Sequence, residues 1–175
     1  MNEVIWTTFD AGQDNADAEI VSSDGTSVTL DGNSWRGFEL PTTVTVTTDT
    51  VLSFHFQSTD LCEIHGVALG PVGSDPSDDG SHESWTNVYL CGSQNVCSSA
   101  HWECIASDQT CDETGTSFAY SIPLSDYWEV GTTYSYFGII NDCDANSGGH
   151  STYSYITIDG KLTRGIMSER TEPHA

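Results

Sequence analysis

The sequence predicts an all-β protein, an antiparallel β-sandwich of the jelly-roll type, and three observations support this fold class. Polar and apolar residues alternate with period two in residues 43–47 (TVTVT) and again in residues 52–56 (LSFHF), as expected for strands with one buried face. Apolar residues nowhere recur at helical spacing over a dozen positions without a Gly, Pro or β-branched residue intervening. Short apolar runs are separated by turn residues such as Asp31-Gly32-Asn33.

Eleven short strands follow from this pattern, and the lack of helical segments between them favours two packed sheets. The predicted strands are Val4–Phe9, Glu19–Ser22, Ser27–Asp31, Trp35–Glu39, Val44–Thr47, Val51–Ser58, Glu63–Leu69, Asn87–Tyr89, Phe118–Pro123, Thr133–Asn141 and Thr152–Leu162.

The chain is long enough for one well-buried core, and we expect a single sandwich domain over residues 1–163. Residues 70–84 are polar and acidic and predict an exposed loop. An insertion over about 91–115 contains four cysteines with little periodicity, so crosslinks rather than a core should fix its shape. Residues 164–175 lack strand pattern and predict a flexible tail or linker.

The charge balance limits the choice of partners. The formal net charge of −22 comes from 26 acidic residues against 4 Lys and Arg. Nucleic acid is excluded as a partner, because neutralising phosphates requires a basic surface. A calcium-rich or saline medium fits better, since divalent cations and screening relieve the self-repulsion.

Six cysteines in a chain of this size indicate an oxidising compartment and a secreted or extracellular protein. The first residues do not read as a signal peptide, and no apolar run approaches the roughly 18 residues of a membrane span. We therefore expect a domain of a longer secreted chain, expressed with an added Met1. A disulfide-free cytosolic protein of a halophile is the alternative, and six free thiols count against it.

The four cysteines of the insertion can pair in more than one way. Local bonds Cys91–Cys97 and Cys104–Cys111 are favoured over Cys91–Cys111 with Cys97–Cys104, although sequence alone leaves the connectivity open. A structural zinc site is the rival interpretation, but the spacings match none of the usual paired-ligand motifs.

An acidic turn over residues 141–146 (NDCDAN) predicts a calcium site. Side-chain oxygens at alternate positions are the hard donors that calcium requires. The turn is not an EF-hand, because Asn146 and Thr152 stand where that loop has its Gly and its bidentate Glu. A solvated acidic turn held by Asx hydrogen bonds is the alternative.

His65 follows Glu63 by two residues in a predicted strand, so both side chains would lie on one face. This arrangement could present an acid/base pair or two zinc ligands, although a strand histidine is more often a hydrogen-bonded structural residue. No nucleophile elbow, phosphate-binding loop or zinc-protease motif occurs.

Tryptophans indicate where a sugar could bind, because an exposed indole stacks on a pyranose ring while nearby polar groups bind the hydroxyls. Trp35 and Trp128 are expected in the core. Trp85 and Trp102 fall in irregular sequence and are predicted to be exposed. The predicted carbohydrate-binding residues are Trp85, Trp102, Asp78, Asp79 and Asn87.

Several stretches together resemble a non-catalytic, carbohydrate-binding-type β-sandwich module of secreted, mostly marine, polysaccharide-degrading enzymes. The resemblance is carried by Gln13-Asp14, residues 32–36 (GNSWR), 54–59 (FHFQST), 62–69 (CEIHGVAL) and 141–146. It implies the β-sandwich fold and sugar binding without catalysis.

The resemblance also implies specific roles for residues at both ends of the chain. It suggests one structural calcium ion bound by Gln13, Asp14, Asp142 and Asp144. Cys62 and Cys143 occupy two neighbouring family positions that usually hold Gly and Asp, which suggests a disulfide between them.

Three hypotheses of function remain at this point. The first is a secreted module that targets a polysaccharide without cleaving it and serves a neighbouring catalytic domain. The second is an extracellular adhesion or matrix domain that binds calcium or mineral. The third is a zinc-dependent enzyme using His65 and Glu63.

Overall fold

Twelve β-strands make up the described part of the protein. The computed structural model describes residues 5–10, 12–14, 19–22, 24–74, 83–94, 96–97, 100–105, 114–144, 149–159 and 161–162. The strands are β1 (Thr7–Thr8), β2 (Glu19–Val21), β3 (Ser27–Asp31), β4 (Ser34–Thr45), β5 (Val51–Ser58), β6 (Ile64–Pro71), β7 (Thr86–Cys91), β8 (Trp102–Cys104), β9 (Phe118–Pro123), β10 (Thr133–Asp142), β11 (His150–Ile158) and β12 (Lys161–Leu162).

The strands form two sheets that pack as a sandwich. The first sheet has the order β1-β4-β10-β6-β7-β8, and the second has the order β2-β3-β11-β5-β9 with β12 beside β11. All pairs are antiparallel except β7 with β8. Successive strands alternate between the sheets from β3 to β6 and again from β8 to β11, as in a jelly roll. The predicted fold class is confirmed.

The predicted strand bounds agree well with the observed ones where alternation is strong. Residues 27–31, 51–58 and 118–123 match at both ends. The two strands predicted over 35–47 form one long strand, β4. Pro41 does not end it, because β1 pairs with β4 only at Arg36 and Gly37. No described strand on that side therefore needs a backbone hydrogen bond from residue 41. The sequence did not predict β8, whose three residues are too few to show a period.

The main core lies between the two sheets. Leu52, Phe54 and Phe56 of β5 point into it and are at most 1% exposed, while His55 between them is exposed, as the alternation predicted. Tyr153 of β11 crosses the core and donates its hydroxyl hydrogen bond to the carbonyls of Gly66 and Ile140 in the first sheet, at 3.0 and 2.8 Å.

A second apolar cluster covers the outer face of the first sheet and contains Trp85. This residue is 1% exposed and stacks on Phe9 with ring centroids 4.5 Å apart. Its indole lies over Gly70 of β6, where a Cβ atom would come within 2.4 Å of the ring. The prediction that Trp85 is exposed is therefore wrong, because glycines in the neighbouring strands leave room for the indole. Trp35 and Trp128 are buried, as expected.

The disulfides confirm one predicted bond and correct another. Cys62 is bonded to Cys143 over a sequence separation of 81 residues, as the resemblance implied. Cys97 is bonded to Cys104, so the favoured pairs Cys91–Cys97 and Cys104–Cys111 are wrong. The backbone brings residue 104 back beside residue 97 through β8, which runs parallel to β7. Cys91 is also disulfide-bonded.

Other expectations fall on residues that are not described. Asp78, Asp79, Cys111 and the tail 164–175 lie outside the described residues. Within the described ranges, no helix has the length and apolar character needed to cross a membrane.

Replacing Trp85 by Ala should lower the free energy of unfolding by about 3–5 kcal/mol, because it empties the space above Gly70 and Gly138. Val72→Ala is the matched control, since Val72 is 59% exposed and should change stability little. Denaturant unfolding of both variants measures the difference, and equal midpoints would show that Trp85 is not a core residue.

Removing the long-range disulfide with Cys62→Ala and Cys143→Ala should destabilise the protein by about 4 kcal/mol, because its loop is long. Removing Cys97–Cys104, with a separation of 7 residues, should cost less, about 2 kcal/mol. Urea unfolding under oxidising conditions compares the two double variants, and the reverse order would contradict the loop-length argument.

Candidate functional site

The candidate site lies where the start of β6 meets the end of β10. Asp142, the last residue of β10, pairs with Ile64, the first residue of β6. One residue earlier, the Glu63 amide donates a hydrogen bond to the Asp142 carbonyl at 2.8 Å. The Cys62–Cys143 disulfide closes the same end of the pair. The sequence thus places Glu63, Asp142 and Asp144 immediately beside one crosslink.

These three carboxylates form a compact group of oxygen donors. One oxygen from each of Glu63, Asp142 and Asp144 lies within 4.8 Å of the other two. Asp142 is only 5% exposed, and its Oδ1 is buried without a hydrogen-bond partner. Asp144 is exposed at the rim. A buried carboxylate oxygen with no donor is costly unless a cation or a proton compensates it.

The electrostatics of the group favour a bound cation. Burial, followed by the negative charges of Asp144, Glu63 and Asp10, raises the pKa of Asp142 to about 7. In the absence of a cation, Asp142 therefore holds its proton up to neutral pH. A cation among the same carboxylates would offset both the burial and the repulsion.

Amide side chains hold two of the carboxylates in place. The Gln94 side chain donates a hydrogen bond to Glu63 Oε2, and the Asn33 side chain donates one to Asp144 Oδ1. The Gln94 backbone amide also donates to the Glu63 carbonyl at 3.0 Å. Asn33 is buried in the turn between β3 and β4. Both carboxylates are thereby oriented by residues from other parts of the chain.

The carboxylates open into a cleft of about 240 Å³ that also has aromatic and apolar sides. Trp102 of β8 is half-buried and makes an edge-to-face contact with the buried Trp35, with ring centroids 5.9 Å apart. The residues that line the cleft are Asp10, Gln13, Trp35, Glu63, Ile64, Gln94, Val96, Trp102, Asp142 and Asp144.

The donor set suits a hard cation. All three clustered groups are carboxylates, and calcium prefers oxygen ligands at 2.3–2.6 Å. Two oxygens on one such ion can be no more than about 5 Å apart, and the observed limit of 4.8 Å fits that geometry. These residues therefore fit a calcium ion.

His65 does not belong to this group. It is fully buried, and its Nε2 lies 3.2 Å from both Ser58 Oγ and the Asp60 carbonyl. Burial lowers its pKa to about 4, so the ring is neutral at neutral pH. Within the described ranges, the metal-compatible cluster contains no histidine. The contacts of His65 with Ser58 and Asp60 agree with a structural role for this residue.

The predicted calcium ligands are only partly brought together. Asp142 and Asp144 are adjacent, and Gln13 lines the same cleft. Asp14 instead forms an ion pair with the Arg36 guanidinium. Asp14 does not line the cleft, whereas Asp10, four residues earlier, does. The role of Asp14 as a calcium ligand stays a prediction.

The predicted carbohydrate-binding residues are separated by the structure. Trp102 lines the cleft, whereas Trp85 and Asn87 are buried. The Asn87 side chain donates a hydrogen bond to the His101 carbonyl at 3.2 Å, which holds the turn before β8. The cleft thus joins Trp102 to the acidic group, two features that the sequence had suggested separately.

The sequence did not predict Glu63, Asp10 and Gln94 at the calcium site, and Glu63 was considered only in the alternative zinc site with His65. The position of Glu63 next to Cys62 was a usable signal, because the implied bond to Cys143 places it beside Asp142 and Asp144. No comparable signal in the sequence pointed to Asp10 or Gln94.

Comparisons with known proteins found little similarity. No protein-family model and no curated protein matches the chain. Among solved structures, it is similar to the glycoside hydrolase domain of Endo-D from Streptococcus pneumoniae, with 13% sequence identity and a TM-score of 0.41. The match covers 86% of this chain and 21% of that chain. The all-β sandwich is compatible with a carbohydrate-binding-type module.

In calcium-free buffer, the free energy of unfolding should contain a contribution from Asp142 that falls as the pH rises from about 4 to about 7. The folded state retains the Asp142 proton over this window, while the unfolded state, in which the aspartate has its ordinary pKa of 3.8, loses it. Stability therefore decreases with pH, because the unfolded state binds fewer protons.

Asp142→Asn removes the titrating group, so this variant should gain stability relative to the wild type as the pH rises. Asp49→Asn, at an exposed position, is the control with the same change of charge. Urea unfolding in EDTA at several pH values measures the difference. Parallel curves for wild type and Asp142→Asn would contradict the shifted pKa.

Proposed function

We propose that the protein is a secreted carbohydrate-binding module that binds a polysaccharide in the acidic cleft and does not cleave it, with a calcium ion held by Glu63, Asp142 and Asp144. The observation that carries this proposal is the shared cleft, in which Trp102 lies with the three clustered carboxylates. An aromatic ring beside oriented polar oxygens is a common composition for sugar sites.

Calcium is supported by three properties of the group. The donors are oxygens, their separation fits one coordination sphere, and Asp142 Oδ1 has no hydrogen-bond partner. The net charge of −22 adds a general attraction for divalent cations.

A binding role rather than hydrolysis is supported by the crowding of the carboxylates. Glycosidases place two carboxyl groups on opposite sides of the scissile bond, about 5–5.5 Å or 6.5–9.5 Å apart. Here three carboxylates each place one oxygen within 4.8 Å of the other two, closer than either of these spacings. The same convergence suits one ion.

Secretion is supported by the two described disulfides, since such bonds form and persist in oxidising environments. The chain charge also favours a second candidate function, an extracellular domain that binds calcium-bearing mineral or matrix through its acidic surface. Moderate salt separates the two functions, because screening weakens surface attraction more than a stacked sugar contact.

The testing experiment is a glycan array with and without EDTA, together with thermal unfolding. Calcium at about 100 times its dissociation constant should stabilise the protein by about 2.7 kcal/mol, and EDTA should lower the melting temperature by about 5–10 °C. Glu63→Gln should reduce both the thermal shift and glycan binding. Unchanged melting after chelation would refute the calcium site.

Trp102→Ala should abolish glycan binding but keep the calcium-dependent thermal shift, because it removes the stacking surface and no ligand. Tyr155→Ala is the matched control, since Tyr155 is an aromatic residue 56% exposed on the second sheet. Affinities should be micromolar to millimolar, as expected for a shallow site that binds few sugar rings. Normal binding by Trp102→Ala would place the glycan site elsewhere.

A further inference from the structure

We propose that the glycan bound in this cleft is neutral, and that two adjacent hydroxyls of one sugar ring bind the calcium ion directly while the ring lies against Trp102. This inference rests on the proposed function and specifies its ligand. Acidic polysaccharides, rich in uronate carboxylates, would be poor ligands of the same site.

The first step of the argument is that the protein leaves part of the cation's coordination open. Calcium takes 6–8 oxygen ligands, and the clustered donors are three carboxylates from the adjoining ends of β6 and β10. Asp142 is buried at the base and Asp144 is exposed at the rim, so a bound ion would face the cleft. Two adjacent hydroxyls offer two neutral oxygens at the spacing of a chelate.

The second step is the size of the space beside the ion. The cleft volume is about 240 Å³, equal to about eight water molecules at roughly 30 Å³ each. This volume exceeds what an ion needs and allows a sugar ring to enter next to it. Ile64 and Val96 supply apolar lining, which suits the carbon face of a sugar better than a larger hydration shell.

The third step is the position of Trp102. Its edge-to-face contact with Trp35 holds the indole in the lining of the same cleft as the carboxylates. A ring that binds the ion through two hydroxyls can therefore contact the indole with its C–H groups. Gln13 is exposed at the same cleft and can bind a further hydroxyl.

The fourth step is charge, which decides between neutral and acidic sugars. Four carboxylates line the cleft, those of Asp10, Glu63, Asp142 and Asp144. With all four ionised, a divalent ion leaves a local charge of about −2, and a uronate would add another negative charge. None of the described lining residues is Lys or Arg, the residues that recognise carboxylates. Neutral hydroxyls avoid this repulsion.

The test uses sugars that differ only in the carboxylate. Calorimetric titration in calcium compares methyl galactoside with methyl galacturonide, and methyl mannoside with methyl mannuronide. At least one neutral sugar should bind, and its acidic counterpart should bind at least tenfold more weakly. Trp102→Ala should lose the neutral sugar, and Tyr155→Ala should retain it.

Direct coordination is tested with terbium in place of calcium. The luminescence decay of the bound lanthanide in H₂O and D₂O counts the water molecules on the ion. A neutral sugar that binds through two hydroxyls should remove about two of them, within the 6–8 oxygen ligands of such a site. Trp102→Ala should bind terbium without showing this loss on addition of the sugar.

The outcomes separate the inference from the proposed function. Equal or tighter binding of the uronides would overturn the choice of a neutral sugar, and sugar binding without loss of water would overturn direct coordination. In both cases the protein would still be a carbohydrate-binding module. Failure of every sugar and polysaccharide to bind would overturn the proposed function together with this inference.

Discussion

The bond between Cys62 and Cys143 is the constraint on which the acidic cleft depends. It joins the residue before Glu63 to the residue between Asp142 and Asp144. The carboxylates of Glu63, Asp142 and Asp144 repel each other, and the ends of β6 and β10 could reduce this repulsion by moving apart. The crosslink and the hydrogen bond from Glu63 to the Asp142 carbonyl prevent that movement. The result is a preorganised cluster of carboxylate oxygens. Their mutual repulsion lowers the stability of the protein without a bound cation, and a cation would offset this loss.

Much of the sandwich could be predicted from local sequence, because a strand with one buried face carries its own signature. The segment 52–56 shows this directly, since its alternation fixes which side chains enter the core. The acidic turn that ends β10 was also visible, because Asp142 and Asp144 lie in one short segment. Structural properties that depend only on residues close together in the sequence could therefore be predicted.

The sequence did not predict which distant segments meet at the cleft. Asp10 reaches the cleft from the N-terminal segment, and Gln94 reaches it through the loop after β7. Their positions depend on strand register and loop paths, which composition does not encode. The ion pair of Asp14 was hidden in the sequence for a related reason. Arg36, one of only four basic residues, stands beside it after folding and takes its carboxylate as an ion-pair partner.

Trp85 and Trp102 looked alike in sequence, yet the fold gives them opposite roles. Trp85 enters the space above Gly70 and Gly138 and stabilises the outer layer of the first sheet. Trp102 lies on β8, at the end of that sheet, where only part of the indole is covered. Small residues in strands that are distant along the chain decide between these outcomes. The local sequence around each tryptophan therefore does not distinguish the buried Trp85 from the partly exposed Trp102.

The surroundings of the Cys62–Cys143 bond have a consequence for the rate at which thiols can reduce it. Both cysteines are at most 3% exposed, and Gly149 packs so closely that a Cβ atom there would lie 2.7 Å from one sulfur and 2.8 Å from the other. A thiolate must approach a sulfur atom to exchange with it. Backbone stands in that path, so reductive cleavage has to wait for local opening. The lifetime of the bond is then set by the rate of that opening rather than by the thiol concentration alone.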